Sequence, residues 1–180
     1  MTALKLILIF LLPNIFVTGI TAQVLNNDKI IPGDTLKWEY FTAKPDSNSN
    51  YWAETNWAVY YKYKIALFHA DTVTVDLKVW HVLKENSWVL KDKETEQLLH
   101  HEQGHFNLAI ACGEEFKKAM DTTVLMIYNY DQKIDSVFNA VLKNITPLNV
   151  QYDKETNHMY NIEQQKLWDE KIRMLIKNAE

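Results

Sequence analysis

Apolar and polar positions alternate most cleanly over residues 71–83, where Val73, Val75, Leu77 and Val79 fall on one side of an extended chain. A period of two marks a strand with one buried face. Residues 56–69, rich in Tyr, Trp and Val, read as one or two further strands. Leu36 to Phe41 (LKWEYF) also alternates, and gives way to a polar loop over residues 44–50. After Ser87-Trp88-Val89-Leu90 the period changes. Leu98, His101, His105, Leu108, Cys112 and Phe116 recur at helical spacing, which predicts a helix over residues 92–121. Asp92, Glu94 and Glu96 give it an acidic start. Residues 124–142 carry a second helical stripe, including Leu125, Tyr128, Ile134, Val137, Phe138 and Val141. Thr146-Pro147 marks a break. A last helix is expected from Asp153 or Thr156 to Lys177, with Ile162, Trp168, Ile172 and Leu175 inside. Strands first and helices later predict an α+β domain: a small N-terminal antiparallel sheet followed by a helical half.

The first 22 residues do not belong to that pattern. Lys5 is the only charge before Asp28, and residues 4–20 are almost unbroken apolar sequence, interrupted by Pro13, Asn14 and Thr18. Thr21-Ala22-Gln23 offers a small-residue cleavage site, so residues 1–22 read as an export signal. The apolar run is short and broken for an uncleaved anchor. Residues 23–35, with Pro32 and Gly33, read as a linker. Residues 36–180 form one domain, with chain enough for a sizeable core.

The 180 residues carry a net charge of −4 and no basic block, which gives nucleic-acid binding no support. Once the signal is removed, nothing in the chain calls for a membrane. Cys112 is the only cysteine, so no disulfide staples an exported fold of this size. It lies on the helical stripe seven residues after His105, about 10 Å along the axis, and reads as a small core residue.

His101-Glu102-Gln103-Gly104-His105 is the segment that carries chemistry. Residues four apart on a helix share a face, so two imidazoles reach one ion and Glu102 stands beside them as a base rather than a ligand. Chance alone would produce this pattern in roughly one chain of this length in a hundred. Both histidines sit on the apolar, inward stripe. Two buried imidazoles one turn apart need partners, and one zinc ion (Zn2+) is an economical partner for both. A pair of hydrogen-bonded core histidines is the bland alternative.

Catalytic zinc usually takes three protein ligands and a water. Glu114 and Glu115 lie about 14–15 Å along a continuous helix, too far for bonds of about 2 Å, and read as a solvated face. His158, the only histidine after His105, is the candidate third ligand. Asp153 is a second candidate, although an Asp ahead of a helix more often caps it. His100 points away from His101 and is expected to support or brace. His69 and His81 lie in the strand region, with no spacing that pairs them to the motif. Tyr152 and Tyr160 flank His158 and are candidate oxyanion stabilisers, with ordinary packing as the alternative for each.

These residues resemble a family of predicted secreted zinc-dependent proteases, known mainly as a bacterial domain of unknown function. The resemblance runs from LKWEYF through the Lys44-Pro45-Asp46 loop, Ala53-Glu54-Thr55, Ser87-Trp88-Val89 and the segment Leu99 to Phe106. It ends in Tyr152-Asp153-x-x-Thr156-x-His158. Met159 stands where the family pattern has Gly, and Ile110 where relatives often carry an acid. The resemblance implies a zincin-type catalytic helix and export, and supplies no substrate.

The expectation is an exported zinc metallohydrolase, periplasmic or extracellular, acting as a peptidase on a peptide or protein substrate. Glu102 would be the general base, and His101, His105 and His158 the ligands. An amidase acting on cell-wall peptides is a close variant. The rival from another class is a zinc-stabilised extracellular binding module without turnover, using Trp52 and Trp57 as its surface.

Overall fold

The computed structural model describes residues 2–5 and 28–179. The expected cleavage site after Ala22 lies outside the described residues. Among those residues no helix is long and apolar enough to cross a membrane.

The alternating stretches form a long antiparallel hairpin, β3 (Trp57–His69) and β4 (Thr72–Leu83), in register from Trp57 opposite Leu83 to His69 opposite Thr72. A bulge between Ile65 and Leu67 adjusts the register near the tip. β1 (Thr2–Lys5) pairs antiparallel along the other edge of β3. β2 (Ala53–Glu54) and β5 (Trp88–Val89) make a separate two-stranded ladder. One face of the hairpin carries Val59, Tyr61, Tyr63, Val73, Val75, Leu77 and Val79 into the main core. The period of two therefore predicted the buried face correctly.

Three helices pack on that face. α1 (Glu96–Asp121) is N-capped by Thr95, whose hydroxyl accepts from the Leu98 N–H at 3.2 Å. The expected start at Asp92 is a separate 3-10 turn over Lys91–Lys93. α1 runs unbroken through Gly113, where an added Cβ would meet Val79 at 3.3 Å, so the glycine sets how closely the helix lies on the sheet. Glu114 ion-pairs with Lys117 and Glu115 is exposed, in keeping with a solvated face. Cys112 is fully buried in the main core, and burial pushes its thiol up to about 12.

α2 (Tyr130–Thr156) passes straight through Pro147, against the expected break. Proline leaves one carbonyl without its helical partner. The helix holds because Val141, Leu142, Ile145 and Tyr152 anchor both sides of the proline in the core, while Pro147 itself faces outward. The final helix, α3 (Ile162–Ala179), begins later than expected. Residues 152–156 are thus the end of α2, not the start of the last helix. Phe116, Phe138 and Tyr61 form a three-ring cluster with centroids 4.9 to 5.0 Å apart where α1, α2 and β3 meet.

Residues 28–35, expected as a linker, are docked. Lys29 pairs with Leu83, and Ile31 and Leu36 are buried with Phe41, Leu98, Phe106 and Met159 in a second core on the other flank of α1. Gln103 fixes this strap. Its Oε1 accepts from the Leu36 N–H at 2.7 Å and its Nε2 donates to the Asp34 carbonyl at 2.9 Å.

Candidate metal centre

The helical spacing places His101 and His105 one turn apart on the inner side of α1, both buried. Their Nε2 atoms lie 3.1 and 2.9 Å from a single carboxylate oxygen, Oδ1 of Asp153 in the last turn of α2. Nδ1 of His158 lies 3.3 Å from the same oxygen. His101, Asp153 and His158 offer atoms all within 4.8 Å of one another. Atoms bonded tetrahedrally to zinc at about 2.0–2.1 Å lie about 3.3 Å apart, so the separations of the three imidazoles from Asp153 Oδ1 suit a shared ion, while His105 stands outside the mutual group of the other three donors.

The chemistry of the donors fits as well. Asn149 Oδ1 accepts from the indole N–H of Trp57 at 3.1 Å, and an indole can only donate. His105 Nδ1, 3.0 Å from that same oxygen, must therefore carry a proton. Gln165 Nε2 donates to the Tyr152 hydroxyl at 2.6 Å and to Asp169 at 2.9 Å, which turns its Oε1 to His101 Nδ1 at 3.1 Å. His101 Nδ1 is protonated on the same reasoning. Each neutral ring thus presents an Nε2 lone pair to a carboxylate that also only accepts. Three acceptors on one point require a positive charge between them, either protons or a metal ion. Without a metal the requirement falls on protons. Burial works against a charged His105, but Asp153 outweighs it and raises the pKa to about 9. Burial likewise works against the Asp153 carboxylate, and the two imidazoles outweigh it, holding its pKa well below the usual range.

Asp153 is the main correction to the sequence reading. It caps no helix, because residues 153–156 end α2 rather than begin α3. It is the group on which the three histidines converge. His158 lies in the turn after α2, its side chain 41% exposed, so it closes the site from the solvent side. That turn is unusual. Asn157, His158 and Met159 all have left-handed φ, at 48°, 50° and 82°, a conformation that favours glycine. Met159, standing where the resembled family has Gly, offsets the strain by burial in the second core, and its carbonyl accepts from Gln97 Nε2 at 2.9 Å.

Glu102 is buried beside the two histidines, and its Oε2 accepts from the Thr55 hydroxyl at 2.6 Å. Thr55 directly follows β2, so the small ladder positions the carboxylate. Tyr152 is not an oxyanion donor. Its ring stacks on His101 at 4.6 Å and 14°, and its buried hydroxyl donates to the His101 carbonyl at 3.0 Å. Gly104 makes this contact fit, since a Cβ there would overlap the phenol, with Cζ at 2.6 Å. Tyr160 is exposed and packs edge-on to Trp52 at 5.6 Å. Trp57 is packed against the main core and Trp52 against the second, so neither is the free surface expected of them. His100 pairs at 2.8 Å with Asp169, which also accepts from Gln165 and so backs the group that holds His101, while His81 pairs with Asp34 at 2.6 Å away from the centre. Asn149 and Gln165 carried no signal in the sequence, and Thr55 only its place in the Ala53-Glu54-Thr55 segment, because each acts through hydrogen bonds to residues distant in the chain.

The family described as bacterial protein of unknown function (DUF922) matches residues 33–159. The chain belongs to this family. The matched span holds the strap from Gly33 onward, Thr55, the histidine motif, Asn149, Asp153 and His158, while Lys29, Ile31, Gln165 and Asp169 lie outside it. Comparisons with curated proteins and with solved structures give no match.

Proposed function

We propose that the chain is an exported zinc-dependent hydrolase acting on peptide bonds. The observation that carries this reading is the convergence of two Nε2 lone pairs and the Asp153 carboxylate on one point, with a buried carboxylate, Glu102, beside it. His101, His105 and Asp153 would hold the ion, with His158 as a further donor. A zinc ion so held supplies Lewis-acid polarisation of water and of a carbonyl. Asn149 and Gln165 keep the two rings in the tautomer that presents Nε2. Glu102, steadied by Thr55, takes the proton from the attacking water and passes it to the leaving amine. With Tyr152 engaged elsewhere, Tyr160 is the tyrosine left to test as an oxyanion donor.

One observation favours a second reading. His101, His105 and His158 all approach the one Asp153 oxygen, and if all four groups took the same ion no position would stay open, as in structural sites. The chain would then be a zinc-stabilised binding module. A purely structural site has no use for a buried carboxylate in the position of Glu102, so we place hydrolysis first. A cell-wall peptide amidase is a variant of it. Metal analysis of the purified chain, paired with cleavage of an unbiased peptide library, tests the reading. One zinc per chain is expected, with cleavage that a chelator abolishes and zinc restores. A chain that binds zinc and cleaves nothing supports the binding module.

A further inference from the structure

His101, Glu102 and His105 are closed off, at 2%, 3% and 8% exposure. Solvent reaches the centre on the side of Asp153 and His158, whose side chains are 32% and 41% exposed. That entrance is aromatic. The Tyr51 ring lies on His158 with centroids 4.7 Å apart, and is half exposed. Tyr160, two residues after His158, is exposed and rests edge-on against Trp52. The two tyrosines come from different parts of the chain, one from the approach to β2 and the other from the turn between α2 and α3. Exposed rings beside a buried reactive centre offer flat apolar faces to whatever enters.

We propose that Tyr51 and Tyr160 form a specificity subsite that takes an aromatic or large aliphatic side chain adjoining the cleaved bond of a peptide. The inference rests on the peptidase reading. A sugar ring also stacks on tyrosine, and a binding measurement separates the two occupants. The carboxylates of Glu54 and Glu155 already accept from Trp88 Nε1 and Asn56 and from Gln151 and Trp168 Nε1, and Lys93 lies over Trp52. An apolar peptide side chain needs only the ring faces.

Two measurements separate this inference from the reading beneath it. The first is calorimetry on zinc-loaded Glu102→Gln with a phenylalanine-containing hexapeptide and its alanine counterpart. Aromatic contacts of this kind correspond to about three- to tenfold in affinity. The phenylalanine peptide is expected to bind tighter by at least that factor. Tyr51→Ala is expected to erase the difference and Tyr51→Phe to keep it, with zinc content unchanged in both. The second is the cleavage profile of the wild type, expected to favour bonds next to Phe, Tyr, Trp, Leu or Met. Tyr160→Phe is expected to keep this preference and Tyr160→Ala to lose it. Cleavage with no such preference overturns the subsite and leaves the hydrolase standing. Selective binding without cleavage sinks the hydrolase and, with it, the placing of that side chain beside a cleaved bond. Tighter binding of a glycan-bearing wall peptide than of the plain phenylalanine hexapeptide overturns the proposal in favour of a sugar site.

Discussion

At the scale of single residues, Gly104 gives the sharpest sign test. Ala is a better helix former than Gly by about 1 kcal/mol, so propensity alone makes Gly104→Ala stabilising. The Tyr152 phenol occupies the space a Cβ needs, and overpacking a filled interior costs about 1–3 kcal/mol. Gly104→Ala is therefore expected to lower the Tm, and adding Tyr152→Phe to recover part of the loss. A variant more stable than wild type would show that the Tyr152 contact does not constrain this position. Asp153 belongs to the same scale. Asp153→Asn is expected to lower zinc content as His101→Ala and His105→Ala do, because it removes the charge on which the imidazoles converge. Full zinc binding by the asparagine variant would return the third-ligand role to His158. The placing of His101, Glu102 and His105 together on the buried side of α1 was legible in the sequence, since it follows from helical spacing alone. Asp153 was not, because its role depends on where α2 ends.

At the scale of elements, the boundaries that the sequence misplaced are those where packing overrode a local signal. Pro147 is a strong breaker, but residues on both sides of it are buried against the sheet and α1, and the helix continues for nine residues to Thr156. That continuation carries Asn149, Tyr152 and Asp153 into the site. The β3–β4 hairpin and α1 were legible because alternation and the inward stripe extend over many residues. The ladder of β2 and β5 was too short for any period, so Thr55 and its hold on Glu102 were hidden. The turn after α2 offers a test of balance between backbone and burial. Met159→Gly relieves a left-handed φ, worth about 1 kcal/mol, but deletes a buried side chain, which costs about 2–5 kcal/mol for a large-to-small change. A net loss of stability is expected in thermal unfolding. A higher Tm would mean that strain, not packing, dominates the loop that presents His158.

At the scale of the whole molecule, the centre joins α1, α2 and the turn into α3, with α3 and β3 bracing it through Gln165 and Trp57. A ligand that binds only the folded state adds stability by mass action, so zinc is expected to raise the Tm and a chelator to lower it. Without metal, the pair of His105 and Asp153 sets the pH dependence. The raised His105 pKa contributes stability that is complete below about 6.5, the ordinary value, and is lost as pH rises through about 9. The depressed Asp153 pKa contributes above about 4 and is lost in acid. The chelated protein is therefore expected to melt at a lower temperature at pH 9.5 than at pH 6, and Asp153→Asn to flatten that slope. A chelated Tm that climbs across this window would contradict the pairing.

The proposed hydrolysis turns on Glu102, and Glu102→Gln isolates it. The amide keeps the size of the side chain and can still accept from Thr55, but it cannot take a proton from water. The measurement is the rate of peptide cleavage by zinc-loaded wild type and zinc-loaded Glu102→Gln at matched metal content. Loss of a general base costs about 10²–10⁴ in rate, so the variant is expected to hold one zinc and cleave slower by that factor. Equal rates at equal zinc would remove Glu102 from the chemistry and contradict the general-base mechanism.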